Sequence, residues 1–203
     1  MYPVIKRIGD IVTSFIGMLV MSPVFVVIMM AIKVESKGPV FFIQKRVGRH
    51  KIHFKILKFR TMKFDTPKDM PTHLLSNPGQ YITKTGHFLR KTSLDELPQV
   101  INILFGQMSI IGPRPALWNQ DDLIAARDKN GANKIRPGLT GWAQVNGRDE
   151  LPIDVKAGFD GEYVQKMSFL FDCKCFAMTI LKVLKSEGVA EGAKPNPGRS
   201  ERQ

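Results

Sequence analysis

Two carboxylates stand side by side at Asp95 and Glu96, and cationic side chains recur on both sides of them at Lys58, Arg60, Arg90, Lys91, Arg114, Arg136 and Arg148. Phosphoryl transfer uses these residue types. Cations neutralise the non-bridging phosphate oxygens, a carboxylate holds a divalent metal, and some group must attack phosphorus. A carboxylate can itself attack, passing through an acyl phosphate. Asp95 and Glu96 can therefore supply a nucleophile, a metal ligand or both, and the cations can surround a pyrophosphate. Each feature also has a plainer reading. Acidic residues in the first turn of a helix stabilise its macrodipole by a few tenths of a kcal/mol up to about 1, and Lys58 and Arg60, two apart on a strand, describe a solvated face equally well. What favours chemistry is that the cations occupy turn-rich contexts that fix their positions, instead of lining one helix face.

The elements that must hold these residues follow from pattern and punctuation. Ser93-Leu94-Asp95-Glu96 fits a capping box, and Leu97, Val100, Ile101, Leu104 and Phe105 follow at helical spacing until Gly106. This predicts a helix starting at about Asp95, with Pro98 tolerated in its first turn. Gly112-Pro113-Arg114-Pro115 is a stiff turn that fixes one guanidinium, and residues 136–148 form a glycine-rich segment bracketed by arginines. Both read as loops. Residues 40–44 and 54–59 are short β-prone runs joined by a turn over 47–51, a hairpin that puts Lys58 and Arg60 on one face. Residues 65–80, rich in Pro, Asp, Asn and Thr, read as a surface loop or lid. Residues 163–185 carry apolar positions interleaved with Lys166, Lys174, Lys182 and Lys185, a basic amphipathic helix or helix pair suited to a membrane surface. Cys173 and Cys175 are too close in sequence for a favourable disulfide and read as helix residues.

Residues 11–32 carry no charge. As a helix they would be about 33 Å long, enough to cross a bilayer core of about 30 Å. Ser22-Pro23 interrupts this run, because proline removes the donor that would satisfy the carbonyl of Leu19 and kinks the helix. Ser22 can offer its hydroxyl to a carbonyl one turn earlier. Both flanks are basic, with Lys6 and Arg7 before and Lys33, Lys37, Lys45, Arg46 and Arg49 after, so each carries the cytoplasmic signature. A spanning helix and a re-entrant helix that bends and returns both fit these residues.

Four segments together carry a resemblance: Lys58-Phe59-Arg60-Thr61-Met62, then Arg90 through Gln99 with the Asp95-Glu96 pair, then Gly112-Pro113-Arg114-Pro115, then Arg136-Pro137-Gly138-Leu139-Thr140-Gly141-Trp142-Ala143-Gln144-Val145-Asn146-Gly147-Arg148. In this order they resemble the bacterial sugar transferase family, the monotopic polyprenyl-phosphate phosphoglycosyl transferases, over about residues 3–185. The resemblance implies a re-entrant N-terminal helix broken at Ser22-Pro23 and a Mg²⁺-dependent Asp-Glu dyad. It also implies transfer of a sugar 1-phosphate from a UDP-sugar to undecaprenyl phosphate, with release of UMP. It assigns Asp95 as nucleophile, Glu96 as its partner and Arg114 as a phosphate ligand. Lys58, Arg60, Arg90, Arg136 and Arg148 match family positions and are expected from their charge to bind substrate phosphates. Asp160 lines up with a family acid and is expected to join Asp95 and Glu96 at the metal. With no further transmembrane helices ahead of the catalytic unit, the chain is similar to the minimal PglC-type enzymes of N-linked protein glycosylation, which implies UDP-N,N'-diacetylbacillosamine as donor. Small enzymes that start other glycoconjugates share the same core, so another UDP-sugar is the alternative.

The expected fold is α+β and mostly helical. Residues 1–37 form the re-entrant membrane helix, 38–187 the catalytic domain with its hairpin and amphipathic interfacial helices, and 188–203 a disordered tail. The expected site of action is the cytoplasmic face of the bacterial inner membrane, among phospholipids. The excess of 30 Lys and Arg over 18 Asp and Glu, a formal charge of +12, also admits a membrane-tethered nucleic-acid-binding protein. The aromatics do not alternate with the basic residues as a stacking platform requires, and no zinc or helix-turn-helix pattern is present, so no nucleic acid is expected among the partners.

Overall fold

The computed structural model describes residues 2–64, 66, 78–147 and 151–184. Its first element is α1 (Tyr2–Glu35), which runs unbroken through Pro23. The Leu19 carbonyl that Pro23 cannot serve accepts a hydrogen bond from Ser22 Oγ at 2.8 Å, the substitution expected from sequence. Much of α1 is apolar and exposed, as at Val4, Ile8, Phe15, Leu19 and Val20. Among the described residues it is the one helix long and apolar enough to cross or enter a membrane.

Both ends of α1 are seated on the same body. Near its start Arg7 donates to the carbonyls of Ile103 (2.6 Å) and Leu104 (2.9 Å), and Lys6 pairs with Asp172 at 2.6 Å. The Tyr2 hydroxyl also donates to Asp172, and Asp10, buried, accepts from the amide of Ile110 at 3.1 Å. Towards its other end Ile28 and Ile32 are buried with Phe59 and Leu89.

The chain then forms an antiparallel hairpin, β1 (Phe41–Val47) and β2 (His53–Phe59), in register from Phe41 opposite Phe59 to Val47 opposite His53. After α2 (Lys84–Thr92) and a 3₁₀ turn at Leu94–Glu96 comes α3 (Gln99–Leu104). Phe54 and Ile56 on one face of β2 pack on Ile103 and Met108, while Phe59 on the other face meets α1. A second, parallel pair joins β3 (Ser109–Ile111) to β4 (Gly138–Thr140), with α4 (Asp121–Lys129) between them. The chain closes with α5 (Trp142–Asn146), α6 (Ile153–Lys166) and α7 (Phe169–Leu184). The C-terminal amphipathic segment is thus a helix pair, and α7 exposes Phe169, Leu170, Phe176 and Leu181. Cys173 and Cys175 lie unpaired on α7.

Two expectations are corrected. No capping box forms at Ser93, which adopts a left-handed conformation (φ 58°) that closes α2 and makes no side-chain cap. The α-helical ladder begins only at Gln99, because Pro98 has no N–H to give the Leu94 carbonyl. That carbonyl accepts instead from Leu97 N at 3.2 Å, a 3₁₀ bond. The segment 136–147 is not one loop, since it contains β4 and α5. Its glycines reflect close backbone crossing: a Cβ on Gly138 would lie 2.2 Å from Gly112 N, and one on Gly141 would lie 2.0 Å from Gly112 O. The proposed lid at 65–80 falls outside the described residues except for Thr66 and the turn Pro78–Gln80, and the tail 188–203 lies wholly outside them.

Candidate active site

Asp95 and Glu96 ride on the short 3₁₀ turn between α2 and α3. Leu94 and Leu97, on either side of the two carboxylates, pack against the cluster of Ile28, Ile32, Phe59 and Leu89, which fixes the turn and turns its polar residues away. Lys58 reaches this turn because it shares a strand face with Phe54 and Ile56, the face packed on α3. Asn102 sets the register between the two elements. Its Oδ1 accepts from Leu57 N at 3.0 Å, and its Nδ2 donates to Lys55 O at 2.8 Å and to Gln107 Oε1 at 2.7 Å. Arg114 arrives from the other side, in the Pro113-Arg114-Pro115 turn after β3. Gly112 N donates to Thr140 O and Gly138 N to Pro113 O, both at 2.8 Å, so the turn is pinned where the glycines cross.

The result is a compact ion cluster. Lys58 Nζ lies 2.6 Å from Glu96 Oε1 and 3.9 Å from Asp95 Oδ2. Arg114 Nη2 donates to Glu96 Oε1 at 2.8 Å, with Nη1 at 3.5 Å from Oε2. Burial alone would raise the Glu96 carboxyl, but Arg114 and Lys58 outweigh it and hold the group well below the usual carboxylate range. Asp95 differs. Burial, then the adjacent negative charge of Glu96, push its carboxyl up, against the pull of Lys58, Arg114 and Arg90. No hydrogen bond among the described residues reaches Asp95. Two neighbouring carboxylates thus differ in state, Glu96 neutralised and fixed by two hydrogen-bonded cations, Asp95 held, among the described residues, only by a longer ion pair to Lys58.

A family profile described as bacterial sugar transferase matches residues 1–186. The chain belongs to the bacterial sugar transferase family. It is a transferase. It is 36% identical over 188 residues to the uncharacterized sugar transferase EpsL of Bacillus subtilis, covering 93% of this chain and 91% of that protein. It is 41% identical over 185 residues to the UDP-glucose:undecaprenyl-phosphate glucose-1-phosphate transferase of Escherichia coli, covering 88% of this chain but only 40% of that longer protein. It is also 35% identical to the exopolysaccharide production protein ExoY of Sinorhizobium fredii, across 90% of this chain and 87% of the relative.

The sugar transferase gathers Lys58, Arg90, Asp95, Glu96 and Arg114, and holds three other expected site residues elsewhere. Arg60 is buried and donates to Lys37 O and Ser36 O at 2.8 Å and to Ser36 Oγ at 2.7 Å, clamping the chain that leaves α1. Strand alternation does not extend to it because β2 ends at Phe59. Arg136 donates from Nε to Gly106 O at 2.8 Å, at the far end of α3 from the dyad. Asp160 on α6 is 1% exposed and its Oδ2 accepts from Arg127 Nε at 2.8 Å and Nη2 at 2.6 Å. This buried pairing sets the Asp160 carboxylate against Arg127, away from the dyad. Among the described residues no group of three or more His, Cys, Asp or Glu side chains is placed to hold an ion. Arg148 lies outside the described residues. Sequence reasoning missed Asn102, hidden inside an apolar helical pattern, and the buried acids Asp10 and Asp172, whose partners lie far along the chain.

Proposed function

We propose that this transferase moves a sugar 1-phosphate from a UDP-sugar to undecaprenyl phosphate, releasing UMP, with Asp95 as nucleophile. The observation that carries the reading is the division within the dyad. Glu96 is engaged by Lys58 and Arg114, whereas Asp95 is open to attack an electrophile. An Asp95 oxygen bonds to the β-phosphorus of the UDP-sugar as the bond from that phosphorus to the bridging oxygen breaks, and UMP leaves with the electron pair. A phosphate oxygen of the polyprenyl phosphate then bonds to the same phosphorus, the Asp95 O–P bond breaks, and the carboxylate is restored. Lys58 and Arg114, which hold Glu96, stand with Arg90 beside Asp95, and their charge stabilises the transferred phosphoryl oxygens.

Mg²⁺ fits the donors that are present, because it is bound by one or two carboxylates and completes its shell with water and substrate phosphate. Asp95 would hold it, with Glu96 alongside, and the bound ion would neutralise pyrophosphate oxygens and favour ionised Asp95. Asp160 is left out of this set. For the donor sugar, the Escherichia coli relative is named for UDP-glucose. EpsL and ExoY match this chain over most of their own lengths, so a short chain does not by itself select diacetylbacillosamine. UDP-glucose is the first donor to test and UDP-N,N'-diacetylbacillosamine the second.

The seating of both ends of α1 on one body, polar at Lys6 and Arg7 and apolar at Ile28 and Ile32, supports a re-entrant, monotopic placement at the cytoplasmic face of the bacterial inner membrane. A helix that carried Tyr2, Lys6 and Arg7 to the far side of a bilayer would lose all their contacts. The chemistry is tested by mixing detergent-solubilised protein, Mg²⁺ and UDP-sugar without lipid acceptor. The expected result is about one equivalent of UMP per enzyme, with the sugar phosphate retained on the peptide bearing Asp95 and absent from Asp95→Asn. Intersecting kinetics, with no UMP before lipid is added, would replace the covalent route by direct attack of the lipid phosphate.

A further inference from the structure

Two guanidinium groups sit on the turn at Gly106, the end of α3 opposite the dyad, and a third, that of Arg49, lies near enough to repel one of them. Arg7 of α1 donates to the carbonyls of Ile103 and Leu104, and Arg136 donates to that of Gly106. Arg49, at the tip of the β1–β2 hairpin, donates from Nε to Lys134 O at 3.0 Å, two residues before Arg136. A Cβ on Gly106, whose φ is +78°, would lie 3.3 Å from Arg7 Nη2. Every hydrogen bond these three side chains make among the described residues goes to a neutral carbonyl. Among the described residues the η nitrogens of Arg49 and Arg136 make none. Burial, then the repulsion of Arg7 and Arg49, hold the Arg136 guanidinium below its usual pKa, with Asp10 the nearby acid opposing this. The Asp10 carboxylate gives Oδ1 to the amide of Ile110. Three cations facing one acid leave an excess of positive charge.

The surroundings are apolar. Phe105, in the same turn, is 78% exposed, and Ile52, at the hairpin tip, is 69% exposed. Arg7 stands at the threshold of the exposed apolar residues Ile8, Ile11, Val12, Phe15 and Ile16 of α1. A soluble anion would satisfy the guanidiniums and leave these side chains in water, whereas a lipid brings its phosphate and its chains together.

We propose that the Gly106 turn, with Arg7, Arg49 and Arg136, binds the phosphodiester headgroup of an anionic phospholipid, and that Phe105 and Ile52 lie against its chains. The guanidinium forks supply charge-assisted hydrogen bonds of the kind phosphate accepts. The site is separate from the dyad, and it rests on the membrane seat of α1 inferred above.

The test is native mass spectrometry of the full chain in detergent, with phosphatidylglycerol or phosphatidylcholine added at equal concentration. Wild type is expected to retain phosphatidylglycerol in clear excess. Arg49→Gln with Arg136→Gln should lose roughly 30-fold in phosphatidylglycerol affinity, the effect of two basic residues near a lipid surface, with phosphatidylcholine adducts unchanged. The Lys double variant, which keeps both charges, should retain most of the preference, so that loss of fold and loss of charge are told apart. Equal retention of the two lipids by wild type, or an undiminished preference in the Gln variant, overturns the proposal. So does a raised KM for undecaprenyl phosphate in the Gln variant with its lipid preference intact, which would assign the turn to the acceptor. Incorporation into phosphatidylcholine nanodiscs reads the membrane seat independently. A chain that enters them yet shows no anionic preference refutes the headgroup site alone.

Discussion

Replacing Asp160 by Asn separates a structural acid from a metal ligand, and the structure gives the size of the effect. The side chains of Arg127 and Asp160 are 4% and 1% exposed, with Nη2 and Oδ2 2.6 Å apart. At that separation and an effective dielectric near 20, the Coulomb attraction lost is about 6 kcal/mol. Relaxation recovers part of it, so orphaning one member of a buried pair costs about 3–5 kcal/mol. In a chain of this size each kcal/mol shifts Tm by roughly 2–4 °C. Asp160→Asn should therefore lower Tm by roughly 6–20 °C, and Arg127→Met by a similar amount. The double variant Arg127→Met/Asp160→Leu should recover most of the loss, since no buried charge remains unpaired. The assay pairs thermal unfolding in detergent, followed by circular dichroism, with the Mg²⁺ dependence of UMP release well below Tm. That dependence should be the same in Asp160→Asn as in wild type. An unchanged Tm together with a raised Mg²⁺ requirement would refute the reasoning and return Asp160 to the metal.

Arg114→Ala should lower UMP release by roughly 10²–10³-fold, the usual loss on removing one donor from a transition-state charge site. Its circular dichroism should stay that of wild type, and Arg114→Lys should also be poor because a point charge cannot reproduce the fork. Gly141→Ala should abolish activity, since its Cβ would lie 2.0 Å from the Gly112 carbonyl that shapes the Arg114 turn. Gly158→Ala is the matched control: it sits within α6 with nothing within 4 Å of the added Cβ, and should stabilise by about 0.5–1 kcal/mol. A cysteine at exposed Pro3, in a background with Cys173 and Cys175 replaced by Ser, should resist a membrane-impermeant maleimide in intact cells. Ser22→Ala with Pro23→Leu should expose it, and unchanged protection would mean that the polar seats of Lys6 and Arg7 suffice to hold the topology.

The parts of the fold that were legible in sequence are those set by local rules. Period-two alternation placed Lys58 on a strand, proline chemistry predicted the Ser22 hydroxyl on Leu19, and the Pro-Arg-Pro turn marked a fixed guanidinium. What was hidden depends on partners distant in sequence. Arg60 and Lys58 look alike as neighbours two apart, yet one reaches Glu96 and the other clamps Ser36, because the strand ends between them. Arg136 looks like a site residue until Arg7, more than a hundred positions earlier, is found at the same turn. Asp160 has the chemistry of a metal ligand, and only the packing of α4 on α6 reveals Arg127 beside it. The glycines of 136–147 read as flexibility in one dimension and are close contacts in three.

The end of α1 is also the foundation of the dyad. Glu35, its last residue, accepts from the amides of Lys84 (2.6 Å) and Thr85 (2.9 Å), capping α2 with a carboxylate where the helix dipole favours one. At its other end α2 carries Arg90, and its left-handed Ser93 delivers the chain into Asp95 and Glu96. Arg60 fastens Ser36 and Lys37 beside the strand that presents Lys58. Ile28 and Ile32 pack in the same cluster as Leu94 and Leu97. Every element that carries a dyad residue or its nearest cations, apart from the Arg114 turn, is thus tied to the last two turns of the apolar helix. A lipid phosphate presented at the membrane surface and a nucleotide sugar arriving from water need a common meeting point at a fixed depth. In the proposed monotopic placement, tying the carboxylates to the exit of α1 sets that depth directly, without a separate element to position them.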